Sequence, residues 1–390
     1  MVVRLNTKHV DLLIIGAGPF GLSMASYGEH HGIDYLVVGK PMSFWKENMP
    51  EGMYLRSGCE WHLDPQGVHT IDKYLEARNL ERKDVEPLSL DFYLGYAEWF
   101  QERINADILN TMVKRLDSLD DEKQRFSATL DNGNTLTAKN VLLAVGFKNF
   151  RNLPPELTEI IPDDRYTHTC DLVEFDYLRG KRCLVIGGRQ SAYEWAALVN
   201  ENGASEVHVS HRHETPDFTR SEWNWVYTHL DAMTADPEGH INMPAHKRQA
   251  LDKRFWTEGR LKLEPWLKKR VDVESVKIWP ESEIKACEKL PDGELEVEFD
   301  SGDRIAVDHV ILATGYKVNI ENVPFLKAGN VLERLRIQEG YPVLDAHLQT
   351  SVPGLFATSM MATRDFGLFF AFTVSVHASA EIIGSFIKNS

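Results

Sequence analysis

Short apolar runs of strand length alternate along the chain with Gly-rich turns and helical patterns. Val10-Asp11-Leu12-Leu13-Ile14-Ile15 leads directly into Gly16-Ala17-Gly18-Pro19-Phe20-Gly21, which opens a helical stretch through Gly28, and a second apolar run, Tyr35-Leu36-Val37-Val38, follows. Strand, turn, helix and strand in that order predict a βαβ unit with a parallel sheet. The pattern recurs: Cys183-Leu184-Val185-Ile186 precedes Gly187-Gly188-Arg189-Gln190-Ser191-Ala192, an Ala- and Leu-rich helix, and the run Val207-His208-Val209-Ser210. Each unit is followed by alternating runs around a turn, Asp131-Asn132-Gly133-Asn134 and later Asp300-Ser301-Gly302-Asp303. These predict hairpins, because glycine accepts the positive φ that such turns require. The chain therefore reads as an α/β protein of two related Rossmann-like halves, with Leu153-Pro154-Pro155 the candidate crossing between them.

Length agrees with this division, since 390 residues at about 100–200 per domain make two or three domains. With 43% hydrophobic and 26% charged residues, the composition excludes global disorder, a fibrous repeat and a polytopic membrane protein. Forty-three Lys and Arg against 58 Asp and Glu give a net charge of -15, which argues against nucleic acid or an anionic membrane as partner while leaving room for one local basic pocket. Cys59, Cys170, Cys183 and Cys287 form no C-x-x-C pair, so neither a disulfide framework, a zinc knuckle nor a redox dithiol is expected, and a cytoplasmic location fits best. Arg4 and Lys8 precede an apolar run that Asp11 and the glycines cut too short for a secretory signal. The apolar stretch Phe366 to Ile387 contains His377 and Glu381, which favours a helix buried in the protein over a membrane span.

In the first turn Gly16 permits the tight bend, Gly18 lets a pyrophosphate approach the backbone, and Gly21 lets the helix pack on the strand. The helix N-terminus then faces the phosphates. Gly39-Lys40 stands where an acidic residue ordinarily binds the ribose hydroxyls, so Lys40 and the backbone, or another part of the chain, must hold the adenosine. The second turn carries Arg189 in place of the middle glycine. The basic run His211-Arg212-His213 after the next strand suits a 2′-phosphate, hence NADPH over NADH. A solvated loop or a histidine metal pair are the alternatives for that run, neither with supporting ligand spacing. The segment 214–267, with Trp223, Trp225, Trp256 and Trp266 among charges, reads equally as a lid over a cavity or as a helical subdomain.

Ala144-Val145-Gly146 and the string Asp308-His309-Val310-Ile311-Leu312-Ala313-Thr314-Gly315-Tyr316 resemble the two-domain FAD and NAD(P)H flavoproteins. Within them the chain is most similar to the class B flavin-dependent monooxygenases, which include flavin-containing monooxygenases and ornithine and lysine N-hydroxylases. The D-x-x-x-L-A-T-G-Y string, Phe44-Trp45 followed by Gly52-Met53, and the aromatic segment Asp72 to Phe100 carry that resemblance. Tyr166-Thr167-His168-Thr169 stands where an F-x-G-x-x-x-H signature would lie, and Met53 to Pro65 offers Arg56, Glu60, Trp61 and His62 but no substrate-binding lysine. Ornithine or lysine is thus unsupported as substrate.

The resemblance implies an FAD domain from residues 1–150 and 308–390 and an NADPH domain from 151–307 inserted between them. For FAD it implies Gly16, Gly18, Pro19, Phe20 and Gly21 at the pyrophosphate, and Lys40, Met112 and Val113 at the adenosine. Trp45, Arg56, Ser57, Ala144, Gly146 and the run Asp365, Phe366, Gly367, Leu368 and Phe369 would lie around the rest of the cofactor. The C-terminal apolar helix would aim its N-terminus at the flavin. For NADPH it implies Gly187, Gly188, Arg189, Gln190, Ser191, Glu194, His211, Arg212, Ala313, Thr314 and Gly315. Arg56, His62 and Asp365 are the candidate catalytic residues. The implied activity is NADPH-dependent oxygenation of a small molecule by O₂ through a flavin C4a-(hydro)peroxide; an oxidase or non-dithiol reductase of the same fold is the alternative.

Overall fold

The computed structural model describes residues 8–291 and 293–389, apart from the side chain of Arg260; Arg4 lies outside the described residues. In the first strand, Lys8–Ile15, Val10 and Leu12 to Ile15 are all buried, as a central parallel strand covered on both faces requires. It lies between Tyr35–Val38 and Thr135–Leu143, parallel to both. The other edge of Thr135–Leu143 is shared. Its first half pairs antiparallel with Phe126–Leu130, while Val141 to Leu143 pair in parallel with Leu355–Ala357, which returns from near the C-terminus. Ile108–Leu109 and Val113–Ser118 complete a seven-stranded sheet.

The second sheet has five parallel strands in the order Val276–Trp279, Glu206–Ser210, Arg182–Ile186, His309–Leu312, Tyr166–His168. Two sheets built on parallel βαβ units are the α/β architecture expected from the repeated pattern, with the antiparallel strands Ile284–Lys289, Leu295–Phe299 and Arg304–Val307 packed on one face of the second. The boundary at 308 is corrected, however: His309–Leu312 is buried along its whole length in the second sheet, and the chain rejoins the first sheet only at Leu355. The repeat had hidden this, because the apolar run before Ala313 is the second half's equivalent of the run before Ala144 and closes its own sheet. Asp308 anchors the junction by accepting from the Arg182 backbone N–H at 2.8 Å.

Between the strands at 206–210 and 276–279 the insertion forms helices Asn224–Ala235, Pro237–Ile241 and Ala245–Arg260, followed by Pro265–Val271. The aromatic segment folds largely as helices, of which Leu90–Ile104 is the longest; Ser89 caps it by accepting from the Phe92 N–H, and Tyr93, Tyr96 and Phe100 are buried on one face.

The C-terminal apolar stretch is no continuous helix. Gly367, at φ 99°, interrupts it, short turns follow, and the long helix runs only over Val376–Asn389. That helix packs on Pro19–His31, where Ser23 Oγ donates to the Val376 carbonyl and a Cβ at Gly384 would stand 2.1 Å from the Tyr27 ring. Among the described residues no helix is long and apolar enough to cross a membrane.

Because Gly384 sits directly against Tyr27, Gly384→Ala is expected to destabilise the protein by about 1–3 kcal/mol through overpacking. In denaturant unfolding, the double variant with Tyr27→Ala should lose less than the sum of the two single losses; strict additivity would contradict this contact.

Candidate functional site

Each half ends its first strand in the same crossing. A Cβ at Gly16, which has φ 119°, would lie 2.2 Å from the Ala144 carbonyl oxygen, and one at Gly187, with φ 145°, would lie 2.5 Å from the Ala313 carbonyl oxygen. Gly21 sits as tightly over the Gly16 carbonyl, at 1.9 Å for its would-be Cβ, which brings the first helix down onto its strand. Gly18, by contrast, has nothing within 4 Å of that position. It is the N-cap of Pro19–His31 and lends no side-chain bond to the helix, so the first-turn N–H groups face open space. That is a cradle for an anion.

A single cavity of about 1290 Å³ joins the two turns. It exceeds the roughly 300–1,000 Å³ of a site for one small ligand. On the first side it is lined by Gly16, Gly18, Pro19, Phe20, Lys40, Trp45, Ser57, Met112, Val113, Ala144 and Gly146. On the second side it is lined by Gly187, Gly188, Arg189, Ser191, His211, Arg212, Ala313, Thr314 and Gly315. Gly39 explains the missing acidic residue: a side chain there would meet the Ala17 backbone nitrogen at 2.9 Å. Lys114 and Asp131, beside Met112 and Val113, are charged lining groups that the sequence pattern did not single out. His211 is buried and committed, its Nε2 bonded with Tyr193 Oη at 3.0 Å and its Nδ1 with the His213 carbonyl at 2.7 Å, and burial lowers its pKa. Arg212 is left as the exposed cation of that run on the cavity wall.

Several expected site residues lie elsewhere. Arg56 is not at the cavity: its Nε donates to Glu264 at 3.2 Å, its Nη2 to Ser221 at 2.8 Å, and its Nη1 to the Gly259 carbonyl, so it fastens the insertion to the first half. His62 is packed against His377 with ring centroids 4.6 Å apart, and its carbonyl accepts from His377 Nε2 at 2.8 Å. Burial depresses both half-buried imidazoles, His377 to about 4. The Asp365 carboxylate accepts from the Leu344 N–H at 3.0 Å and from Arg364 at 2.8 Å, and Phe366 and Phe369 turn inward toward His240, His229 and Phe255. The break at Gly367 makes this possible; Leu368 and Gly367 also stay off the cavity, which is reached instead by Ser359, Met360, Ala371, Phe372 and Thr373. Sequence spacing could not reveal that shift, because the turn geometry after Gly367 depends on the aromatic packing around it.

Gln190 and Glu194 are likewise internal. Gln190 accepts from the Glu264 N–H at 3.0 Å and donates to Glu194 at 3.2 Å, while Glu194 accepts from the Tyr54 N–H at 3.1 Å and Arg270 at 3.2 Å. Gly21 acts through packing alone. Among the described residues no three His, Cys, Asp or Glu are placed to hold a metal ion. The four cysteines are unpaired, and none lines the cavity.

Burial pushes the Glu194 carboxyl up from its ordinary 4.5 to about 7, outweighing Arg270. A raised carboxyl pKa supports the fold fully below about pH 4.5 and loses that support as pH rises through about 7. Relative to Glu194→Gln, the wild type should therefore lose on the order of 1–3 kcal/mol between those limits in denaturant unfolding. A constant difference across that range would place the carboxyl's pKa near its ordinary value.

The description pyridine nucleotide-disulphide oxidoreductase matches residues 13–234, and a second family of the same description matches residues 251–366. A ferredoxin–NADP reductase of Thermus thermophilus is 24% identical over 362 residues, spanning 91% of this chain and 85% of the relative. An ornithine N-hydroxylase of Kutzneria sp. 744, solved with reduced FAD, NADP⁺ and L-ornithine, superposes with a TM-score of 0.77 at 14% identity, covering 98% of this chain and 99% of that one. The L-lysine 6-monooxygenase of Pseudomonas syringae gives 0.74 at 19% identity over the same shares. These structures have the same two-domain α/β fold. Since the first match takes in more than half of the chain, the protein belongs to the pyridine nucleotide-disulphide oxidoreductase family.

Proposed function

We propose that the protein is an FAD-dependent, NADPH-oxidising monooxygenase that acts on a small molecule. The observation that carries this reading is the one cavity running from the Gly16–Gly21 turn to the Gly187–Ser191 turn, which gives two dinucleotides a common meeting place. Gly18 fits a pyrophosphate, because the space a Cβ would take there is open and lies at the helix N-terminus. FAD would be held by Gly18, Pro19, Phe20, Lys40, Met112 and Val113, with Trp45, Ser57, Met360, Phe372 and Thr373 toward the seam. NADPH would be held by Gly188, Arg189, Ser191, Arg212 and Thr314. When bound, NADPH supplies a hydride and FAD passes the electrons to O₂, so that one oxygen atom enters the substrate and the other leaves as water.

The chain's own part is position and dryness. Trp45 packs against the buried Tyr93 at a tilt of 32° with centroids 4.8 Å apart, which fixes its indole at the cavity wall, and Met49, Met53 and Phe372 extend the apolar lining. The likeness to ornithine and lysine N-hydroxylases over nearly the whole chain supports oxygenation. Arg56 is tied to the insertion and Met53 to Pro65 lacks a lysine, which favours a substrate other than an α-amino acid.

Supplied with NADPH and ¹⁸O₂, the FAD-loaded protein should transfer one labelled oxygen to an amine, sulfide or ketone, read by mass spectrometry. NADPH consumption coupled only to an electron acceptor would identify a reductase instead, the activity named for the Thermus relative. Gly18→Val is expected to fold, since nothing lies within 4 Å of the added carbon, yet to lose FAD; a full complement of flavin in the variant would refute this placement. Arg212→Ala removes a charge-assisted phosphate contact of about 1.5–3 kcal/mol. It should raise KM for NADPH roughly 10- to 100-fold and leave KM for NADH nearly unchanged, as steady-state kinetics with both cofactors would measure.

A further inference from the structure

The four tryptophans of the insertion do not share one role. Trp223 is partly buried against Trp61 and Phe255, with centroids 5.6 and 5.7 Å away. Trp266 packs on Tyr54 at 5.2 Å, and Trp225 lies under the Arg254 guanidinium at 4.5 Å. Trp256 differs from all three. It is 45% exposed, yet it lines the cavity, and the Arg189 guanidinium lies 4.5 Å from its ring centroid.

Three local facts make this pair a prepared surface. Arg189 occupies the turn position where a glycine is usual, at the N-cap of Gln190–Glu201, so its side chain reaches the cavity beside that helix's N-terminus. Arg212 lines the same cavity close enough to Arg189 to repel its charge, so two cations gather there in a chain of net charge -15. The helix bearing Trp256 is held at both ends of the contact: Phe255 packs on Phe372 of the first half with centroids 5.7 Å apart, and Arg56 binds the Gly259 carbonyl. An exposed indole with one guanidinium over its ring and a second lining the same cavity matches a purine attached to phosphates. An aromatic face accepts any base by stacking, and the cations take the anionic part.

Resting on the reading that the second turn holds NADPH, we propose that Trp256 is the platform for the adenine ring of the pyridine nucleotide, with Arg189 and Arg212 holding its phosphates. The insertion then serves as one wall of the nucleotide site. The remaining tryptophans are its structural anchors.

The experiment titrates the FAD-loaded protein with NADP⁺ and with 2′,5′-ADP, which carries the adenine and phosphates but no nicotinamide, by calorimetry. Trp256→Ala should weaken both ligands by about 10- to 100-fold, the range for losing one base stack. Trp256→Phe, which keeps a ring, should recover most of the affinity, and both variants should retain FAD content and thermal stability. Unchanged Kd values in Trp256→Ala, or equal losses in Trp256→Ala and Trp256→Phe, would overturn the platform while leaving the NADPH reading intact. Failure of the wild type to bind NADP⁺ at all would instead overturn that underlying reading.

Discussion

Everything at the cleft depends on a backbone crossing at the end of each half's first strand. Gly16 passes under the carbonyl of Ala144, and Gly187 under that of Ala313, at distances that no side chain at the glycine would allow. In both cases the contacted carbonyl belongs to the residue following the neighbouring parallel strand, Thr135–Leu143 or His309–Leu312. The crossing turns the chain out of the sheet and starts a helix whose N-terminus faces the cavity. A lateral hydrogen bond, from the Ala144 N–H to the Ile15 carbonyl or from the Ala313 N–H to the Ile186 carbonyl, at 2.9 Å each, locks the arrangement. Because both halves make the same crossing and open toward one another, a single cavity spans them.

A polar chain holds the halves in register, beside the apolar packing of Val226, Leu230, Met233 and Phe255 of the insertion into the first half's core. Arg56 joins Glu264; the Glu264 N–H meets Gln190; Gln190 meets Glu194; and Glu194 joins the Tyr54 N–H and Arg270. Such a buried network is costly unless every member is satisfied, and its directional bonds fix the relative placement of the loop at 54–57, the second half's first helix and the insertion. Ser57, the residue after Arg56, consequently reaches the cavity edge beside Thr373, with Oγ and Oγ1 3.4 Å apart. Electrostatics adds selectivity to position. In an acidic chain, the cations Arg189 and Arg212 gather at one part of the cavity, where they give an anion a local attraction although Glu156 and Glu283 line the same space.

The sequence alone determined the repeated βαβ units, the α/β fold and the glycine turns, because those rest on local requirements: apolar runs of strand length and backbone conformations or approaches that only glycine permits. It also marked Arg212, whose place after a strand is set by chain order. What it could not decide was the use of side chains that meet partners far away in sequence. Arg56 and Glu194 looked like cofactor ligands but are spent on residues 208 and 76 positions away, Glu264 and Arg270. Asp365 to Phe369 lie close to the expected place in the chain, yet the break at Gly367 and the aromatic packing from the insertion turn them inward and give the cavity to Ala371, Phe372 and Thr373. The strand His309–Leu312 could have closed either sheet by its composition, and only hydrogen bonding to Arg182–Ile186 assigned it. Local steric rules are written in adjacent residues; burial and long-range pairing exist only once the two halves and the insertion have come together.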